Sequence, residues 1–77
     1  MNLKELMKEQ SGVIPFSYED EFVEAPVYMF NKSSAPELLS MEEDSRCIIE
    51  DTFFQRNGYF WICYNETYGW FALHTID

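Results

Sequence analysis

The strongest strand-forming pattern lies near the C-terminus, where two aromatic segments flank a short polar break. Residues 59–64 read YFWICY and residues 68–73 read YGWFAL, with Asn65-Glu66-Thr67 between them. Aromatic and β-branched residues favour strands, and two such segments joined by a few polar residues are typical of a β-hairpin. Asn57-Gly58, just before them, is a turn dipeptide. The pattern predicts a hairpin too apolar to lie free in water, which therefore packs on the rest of the chain.

Weaker strand patterns precede this hairpin. Residues 13–18 form a segment interrupted by Pro15, a residue that strands accept mainly at sheet edges. Residues 25–30 alternate, which places Tyr28 and Phe30 on one face. Residues 46–54 read as one bent strand that the Asn57-Gly58 turn connects to the hairpin. About five or six short strands at this spacing predict a small all-β barrel or sandwich.

The N-terminal residues have helical spacing. Leu3, Leu6 and Met7 fall on one stripe, Asn2 can cap the helix, and Gly12 can end it. The stripe needs a surface to cover, since so short a helix is marginal alone. That surface is the barrel or another copy of the chain; alternatively, the segment is a linker remnant. We expect residues 1–12 to be an extension or linker and residues 13–77 to be the domain.

No metal or cofactor site is expected. The acidic turn Glu42-Glu43-Asp44 lacks the calcium-loop pattern of an EF-hand, and the chain has one His and no C-x-x-C pair. Residues 37–41, before that turn, fit a strand or a helical turn equally. Cys47 and Cys63 both fall in apolar strands, where we expect free, buried thiols rather than a disulfide.

Composition and charge narrow the function classes. Seventy-seven residues make one small domain, and fourteen acidic against five basic residues give a net charge of −9. That charge argues against nucleic acid and anionic membranes as partners. No N-terminal signal region and no run near the ~20 apolar residues of a membrane span is present, so we expect synthesis in a cytoplasm.

Catalytic chemistry is not evident. His74 is the only histidine, the serines lack a nucleophile-elbow pattern, and strand cysteines are poorly placed for a Cys-His pair. A chain of this size leaves little room for a cleft between paired carboxylates. Fourteen aromatic residues exceed what a small core needs, and Trp and Tyr often occupy recognition surfaces. A non-catalytic binding module is the interpretation that remains.

The C-terminal hairpin also carries a family resemblance. Gly58-Tyr59-x-Trp61-Ile62-x-Tyr64, the string from Trp70 to Thr75, and Ile48 and Asp51 upstream resemble the end of bacterial SH3-type (SH3b) domains, which target phage endolysins to the cell wall. The family often has arginines where this chain has Tyr68-Gly69 and His74, and a glycine in place of Glu43-Asp44-Ser45. These departures affect the expected ligand more than the expected fold.

The resemblance implies a small SH3-like barrel of five to six short strands with a short N-terminal helix or extension. It implies a non-catalytic module that binds bacterial peptidoglycan and holds a lytic hydrolase on the Gram-positive wall. The expected partners are the wall itself and the full-length endolysin or its catalytic domain. A separately made subunit of this kind is also expected to form a homo-oligomer through the stripe of Leu3, Leu6 and Met7.

Site residues follow from the same resemblance. Trp70 matches the family's ligand-contacting aromatic, and Thr52 matches a position beside the strand's aspartate that can contact a bound peptide. Tyr18 and Tyr28 correspond to early-strand positions. Trp61 and Tyr64 match the motif, although core packing is the favoured interpretation of Trp61. The expected ligand-binding set is Trp70, Thr52, Tyr28, Tyr18, Tyr64 and Trp61.

Two other functions stay open. The charge and size fit a small acidic phage inhibitor that binds a host nuclease or defence protein; its affinity would fall steeply with salt. An SH3-type module for Pro-rich peptides also uses an aromatic groove.

Overall fold

A computed structural model describes residues 1–75, which form one six-stranded sheet with three short helical segments. The strands are β1 (Gln10–Tyr18), β2 (Glu21–Phe30), β3 (Arg46–Ile49), β4 (Thr52–Asn57), β5 (Phe60–Asn65) and β6 (Gly69–Thr75). The helical segments are α1 (Leu3–Leu6), a 3-10 turn (Lys32–Ser34) and α2 (Pro36–Leu39).

Strand order in the sheet is β1-β2-β6-β5-β4-β3. Strands β3 to β6 form an antiparallel meander, and β2 joins β6 in parallel. The all-β prediction and the C-terminal hairpin of β5 and β6 are therefore confirmed. The predicted closure into a barrel is not observed. Among the described residues, β1 and β3 are the two edges of the sheet, so the sheet is open.

Pro26 stands where β2 leaves the main sheet. The pairing of β2 with β6 runs from Val27 to Phe30, whereas β1 accompanies β2 almost throughout. A proline has no N–H to donate to a further strand, which suits the point where pairing stops. The outer half of the β1–β2 hairpin is thus free to curl, and it lies across one face of the sheet, where the Tyr18 ring reaches Phe53 of β4.

The opposite face is covered by the helical segments. Side chains from the sheet and the helices form the main core there: Leu6, Phe30, Ala35, Leu38, Met41, Phe54, Trp61, Cys63, Phe71 and Leu73. A smaller core of Val27, Ile62 and Ala72 lies beneath the β1–β2 hairpin. The middle strands β5 and β6 are consequently buried on both faces, which explains why their sequences are nearly continuous apolar runs.

Helix α1 lies on the chain's own sheet. Leu6 is only 3% exposed within the main core, and Leu3 and Met7 pack partly buried against it. The apolar stripe thus packs on the chain's own sheet, which is the first of the three alternatives given above. An oligomer contact through Leu6 would require this packing to be broken. Strand β1 begins at Gln10, so residues 10–12 belong to the sheet and α1 precedes it.

A tight turn divides the segment that was expected to be one bent strand. Glu50 and Asp51 both adopt positive φ, at 51° and 59°, and Ile49 pairs directly with Thr52 across them. Two-residue hairpin turns require positive φ but are usually marked by Asn-Gly or Asp-Gly. Because Glu50-Asp51 is not one of these turn dipeptides, the sequence did not predict the turn. The Asn57-Gly58 turn is confirmed, with Gly58 at φ 65°.

Both thiols are free in the structure. Burial raises the pKa of the Cys63 thiol well above its ordinary value, and it raises the pKa of the half-buried Cys47 thiol as well. The thiolate is the nucleophile in alkylation, so a raised pKa and burial both slow the reaction.

Alkylation of the native protein is therefore expected to modify Cys47 slowly and to leave Cys63 unmodified. Mass spectrometry should find one label per chain in buffer and two after unfolding in urea. Equal labelling of both thiols in buffer would contradict the burial of β5.

Candidate functional site: an aromatic cluster and its groove

Five aromatic rings meet on the face that the β1–β2 hairpin crosses. Trp70 is at the centre, with ring centroids 5.0 Å from Tyr64, 5.3 Å from Phe16 and Tyr18, and 6.5 Å from Phe53. We call these five residues the aromatic cluster. Its rings meet at tilted or edge-on angles, which aromatic pairs prefer to face-to-face stacking.

Three separate parts of the sheet build the cluster. Tyr64 and Trp70 are direct cross-strand partners in the β5–β6 hairpin. Phe53 on β4 pairs with Tyr64 from the other side. Phe16 and Tyr18 alternate along β1, so both point inward when the hairpin curls over the sheet. The cluster thus depends on that curl as much as on the C-terminal hairpin.

The cluster is only partly covered. Tyr64 is 40% exposed, and Phe16, Tyr18, Phe53 and Trp70 are half-buried. Ile48 on the edge strand β3 is 75% exposed on the outer side of Phe53, its strand partner. Such rings are held in place by their neighbours and remain exposed to solvent along one edge, which suits them to contact a ligand.

A groove of about 200 Å³ runs beside the cluster, between the hairpin tip and β3 to β5. Phe16 and Tyr18 line one side, and Arg46, Gln55 and Asn57 provide polar groups. The Arg46 guanidinium carbon lies 6.0 Å from the Tyr18 ring centre, a cation–π distance. Amide and guanidinium groups beside aromatic rings can hydrogen-bond a neutral polar ligand that stacks on those rings.

The expected site residues divide between two faces. Trp70, Tyr64 and Tyr18 come together in the cluster. Trp61 is 3% exposed and packs edge-on against Phe30 in the main core, on the opposite face. It therefore lies away from the cluster.

Tyr28 and Thr52 also lie away from the cluster. Tyr28 packs at 6.4 Å against Phe71 on the helix-covered face. Thr52 is fully buried, where its hydroxyl donates to the Glu50 carbonyl and accepts from the Asn65 amide. Its place is to secure the β3–β4 turn against the end of β5.

Sequence reasoning missed three residues of this site, Phe16, Phe53 and Arg46. Phe16 could have been found, since it lies two residues before Tyr18 and alternation places both on one face. Phe53 and Arg46 depend on the register across the Glu50-Asp51 turn, which the sequence did not mark.

No family model, curated protein or solved structure matches this chain. None of the helices within residues 1–75 is long and apolar enough to cross a membrane.

Proposed function

We propose that this protein is a non-catalytic module that binds bacterial peptidoglycan and places a lytic hydrolase on the Gram-positive cell wall. The observation that carries the proposal is the partly exposed aromatic cluster centred on Trp70, beside a groove with amide and guanidinium groups. The resemblance of the Gly58 to Thr75 stretch to SH3-type wall-binding domains supports it.

The ligand of such a surface is neutral overall. A net charge of −9 opposes the approach of anions, and the groove's own charge is balanced, since Arg46 and Glu19 both line it. Sugars and short glycyl or alanyl peptides present flat apolar faces together with amide and hydroxyl groups. Such groups stack on aromatic rings and hydrogen-bond to side chains like Gln55 and Asn57.

The test is binding of a fluorescently tagged chain to intact cells and to purified sacculi from several Gram-positive genera. The tagged chain is expected to label at least one genus and to do so equally at low and high salt. Tyr64→Ala, which removes the exposed ring beside Trp70, should weaken labelling by about tenfold. The matched control is Phe22→Ala, which truncates a ring that is 68% exposed and outside the cluster, and it should label normally.

Two results would count against the proposal. Failure to label any sacculus would remove wall binding as the function. Equal loss in the Tyr64→Ala and Phe22→Ala variants would show that the labelling reflects general surface hydrophobicity instead of the cluster.

A second candidate function is supported by the acidic turns. Glu50 and Asp51 of the β3–β4 turn and Glu66 of the β5–β6 turn line one depression together with Ile48. An acidic surface of this kind fits a basic partner such as the nucleic-acid-binding face of a host nuclease. Association through it should weaken steeply as salt rises, whereas wall labelling through stacking should not, so the same salt series separates the two candidates.

A further inference from the structure

Two of the five Lys and Arg residues of this acidic protein line one cleft, whose residues are not those of the aromatic cluster. The cleft has a volume of about 570 Å³ and lies where the helical connection between β2 and β3 meets the ends of β4, β5 and β6. Lys32 and Arg56 supply its positive charge, and His74, whose ring packs 4.7 Å from Phe60, also lines it. Leu39, Tyr59 and Trp61 supply its apolar walls.

Arg56 is held in place by neutral groups. Its Nη1 donates to the Met41 carbonyl at 2.6 Å and its Nε donates to the Gly58 carbonyl at 3.3 Å, while its guanidinium carbon lies 5.5 Å from the Trp61 ring centre. A guanidinium has five N–H donors, so this arrangement leaves donors free on a fixed fork.

No carboxylate neutralises that charge within the described residues. Across residues 1–75 the only ion pair joins the Met1 amine to Glu37. Glu43 lines a separate depression beside Arg56 but lies outside ion-pair distance. In a protein with fourteen acidic residues, a fixed guanidinium that has no ion-pair partner among residues 1–75 and lines the same cleft as Lys32 reverses the charge locally.

Trp61 adds a second observation. Its indole Nε1 is buried and has no hydrogen-bond partner among the described residues. A buried donor without an acceptor loses its hydrogen bond to water and gains none in return, so folded proteins seldom leave one unpaired. The Trp61 ring is itself part of the cleft wall. Because Nε1 is covered, an acceptor in the cleft reaches it only after the neighbouring side chains shift.

We propose that this cleft binds a small carboxylate that carries an apolar group, with the carboxylate on Arg56 and Lys32 and the apolar group against Leu39, Tyr59 and Trp61. The free end of Arg56 suits two parallel hydrogen bonds to a carboxylate. The volume is that of a site for a small ligand. A net charge of −9 repels a multiply charged ligand more than a singly charged one, which favours a carboxylate over a phosphate ester or nucleic acid.

This site is independent of the proposed wall-binding function, because its residues are not those of the aromatic cluster. Two sources can supply the ligand chemistry, a free organic acid and the C-terminal end of a peptide. N-acetyl-leucine stands for the first and N-acetyl-alanyl-leucine for the second. The C-terminal amide of each probe has the same shape without the charge and serves as its control.

The experiment is a titration of the ¹⁵N-labelled protein, followed by the indole N–H resonances of its two tryptophans. The Trp61 resonance, assigned with a Trp70→Phe variant, should shift saturably with at least one of the acids. The Trp70 resonance should stay in place. Tighter binding of the dipeptide acid identifies a peptide end as the ligand, and equal or weaker binding identifies a free acid; either supports the carboxylate site.

Matched variants test the two cations. Lys32→Gln, at an exposed position of the 3-10 turn, should weaken acid binding about threefold. Lys4→Gln makes the same change on α1, away from the cleft, and should leave binding unaltered. Arg56→Gln should weaken acid binding at least about tenfold. This change also removes two structural hydrogen bonds. If the Arg56→Gln variant does not fold, the comparison of Lys32→Gln with Lys4→Gln tests the site.

The carboxylate site is excluded if no acid shifts the Trp61 resonance, or if the amides shift it as much as the acids do. It is also excluded if the Lys32→Gln and Lys4→Gln variants bind the acids with equal affinity. Wall labelling by Lys32→Gln should equal that of the unaltered chain. A failure here therefore leaves the proposed function standing, and a failure of wall labelling leaves this site standing.

Discussion

Replacement of Phe71 by alanine is expected to lower the free energy of unfolding by about 3–5 kcal/mol, the usual cost of truncating a buried phenylalanine. Phe71 is fully buried at the centre of the main core, where Tyr28 packs against its ring at 6.4 Å. A domain of 77 residues has about 4–12 kcal/mol of stability in total. The Phe71→Ala change should thus remove at least about a quarter of the stability of the folded chain.

Urea unfolding followed by tryptophan fluorescence measures this loss as a lower midpoint. The slope of the transition should change little if the variant still unfolds in one step. Phe22→Ala is again the control, since Phe22 is 68% exposed and its truncation should cost no more than about 0.5 kcal/mol. Equal midpoints for the two variants would contradict the position of the main core.

Replacement of Trp70 by alanine is expected to have the largest effect on wall binding, a loss of about thirtyfold, because a hot-spot aromatic contributes about 2 kcal/mol or more. Trp70 contacts every other ring of the aromatic cluster. The same change should also destabilise the fold by about 2–3 kcal/mol, since the curled hairpin loses the ring on which Phe16 and Tyr18 rest.

Trp70→Phe separates the two effects. It keeps a ring in the cluster, so stability should largely recover, while the lost indole area should still weaken wall labelling severalfold. Labelling is compared only at temperatures where circular dichroism shows each variant folded. If a folded Trp70→Ala variant labels sacculi as well as the unaltered chain, wall binding stands but the cluster is not its site.

The sequence was most informative where one hairpin explains a whole pattern. The aromatic runs on β5 and β6 predicted both strands, and the short break between them predicted the turn. Once that register is known, Tyr64 and Trp70 are necessarily neighbours. Strands with apolar residues on both faces also require cover on both faces, which the helical segments and the β1–β2 hairpin supply.

Other features depended on interactions between distant segments. The β1–β2 hairpin curls over the sheet because the pairing of β2 with β6 ends at Pro26. The sequence shows that Pro26 lacks an N–H donor, but it does not show which neighbouring strand loses the hydrogen bond. Trp61 matched the motif that suggested Trp70, yet alternation turns it to the opposite face. The cleft of Arg56 draws on the 3-10 turn, α2 and three strands, so no local pattern could have marked it.

The α2 segment is an intermediate case. Residues 37–41 fitted either a strand or a helical turn, and the structure forms a helix from Pro36 to Leu39. Proline is favoured in the first turn of a helix because its missing N–H has no partner there anyway. Burial of Leu38 in the main core then decides between the alternatives, and that burial is a tertiary effect.

The parallel contact between β2 and β6 also constrains how the protein folds. The meander from β3 to β6 closes through short turns, and so does the β1–β2 hairpin, so each can form from local contacts alone. Val27 and Ala72, by contrast, meet only after most of the chain has been brought into a closed loop. Closing a long loop costs entropy before any contact is gained, so we expect the pairing of β2 with β6 to be the slow step of folding. We therefore expect the aromatic cluster, which contains residues of both β1 and the meander, to form last.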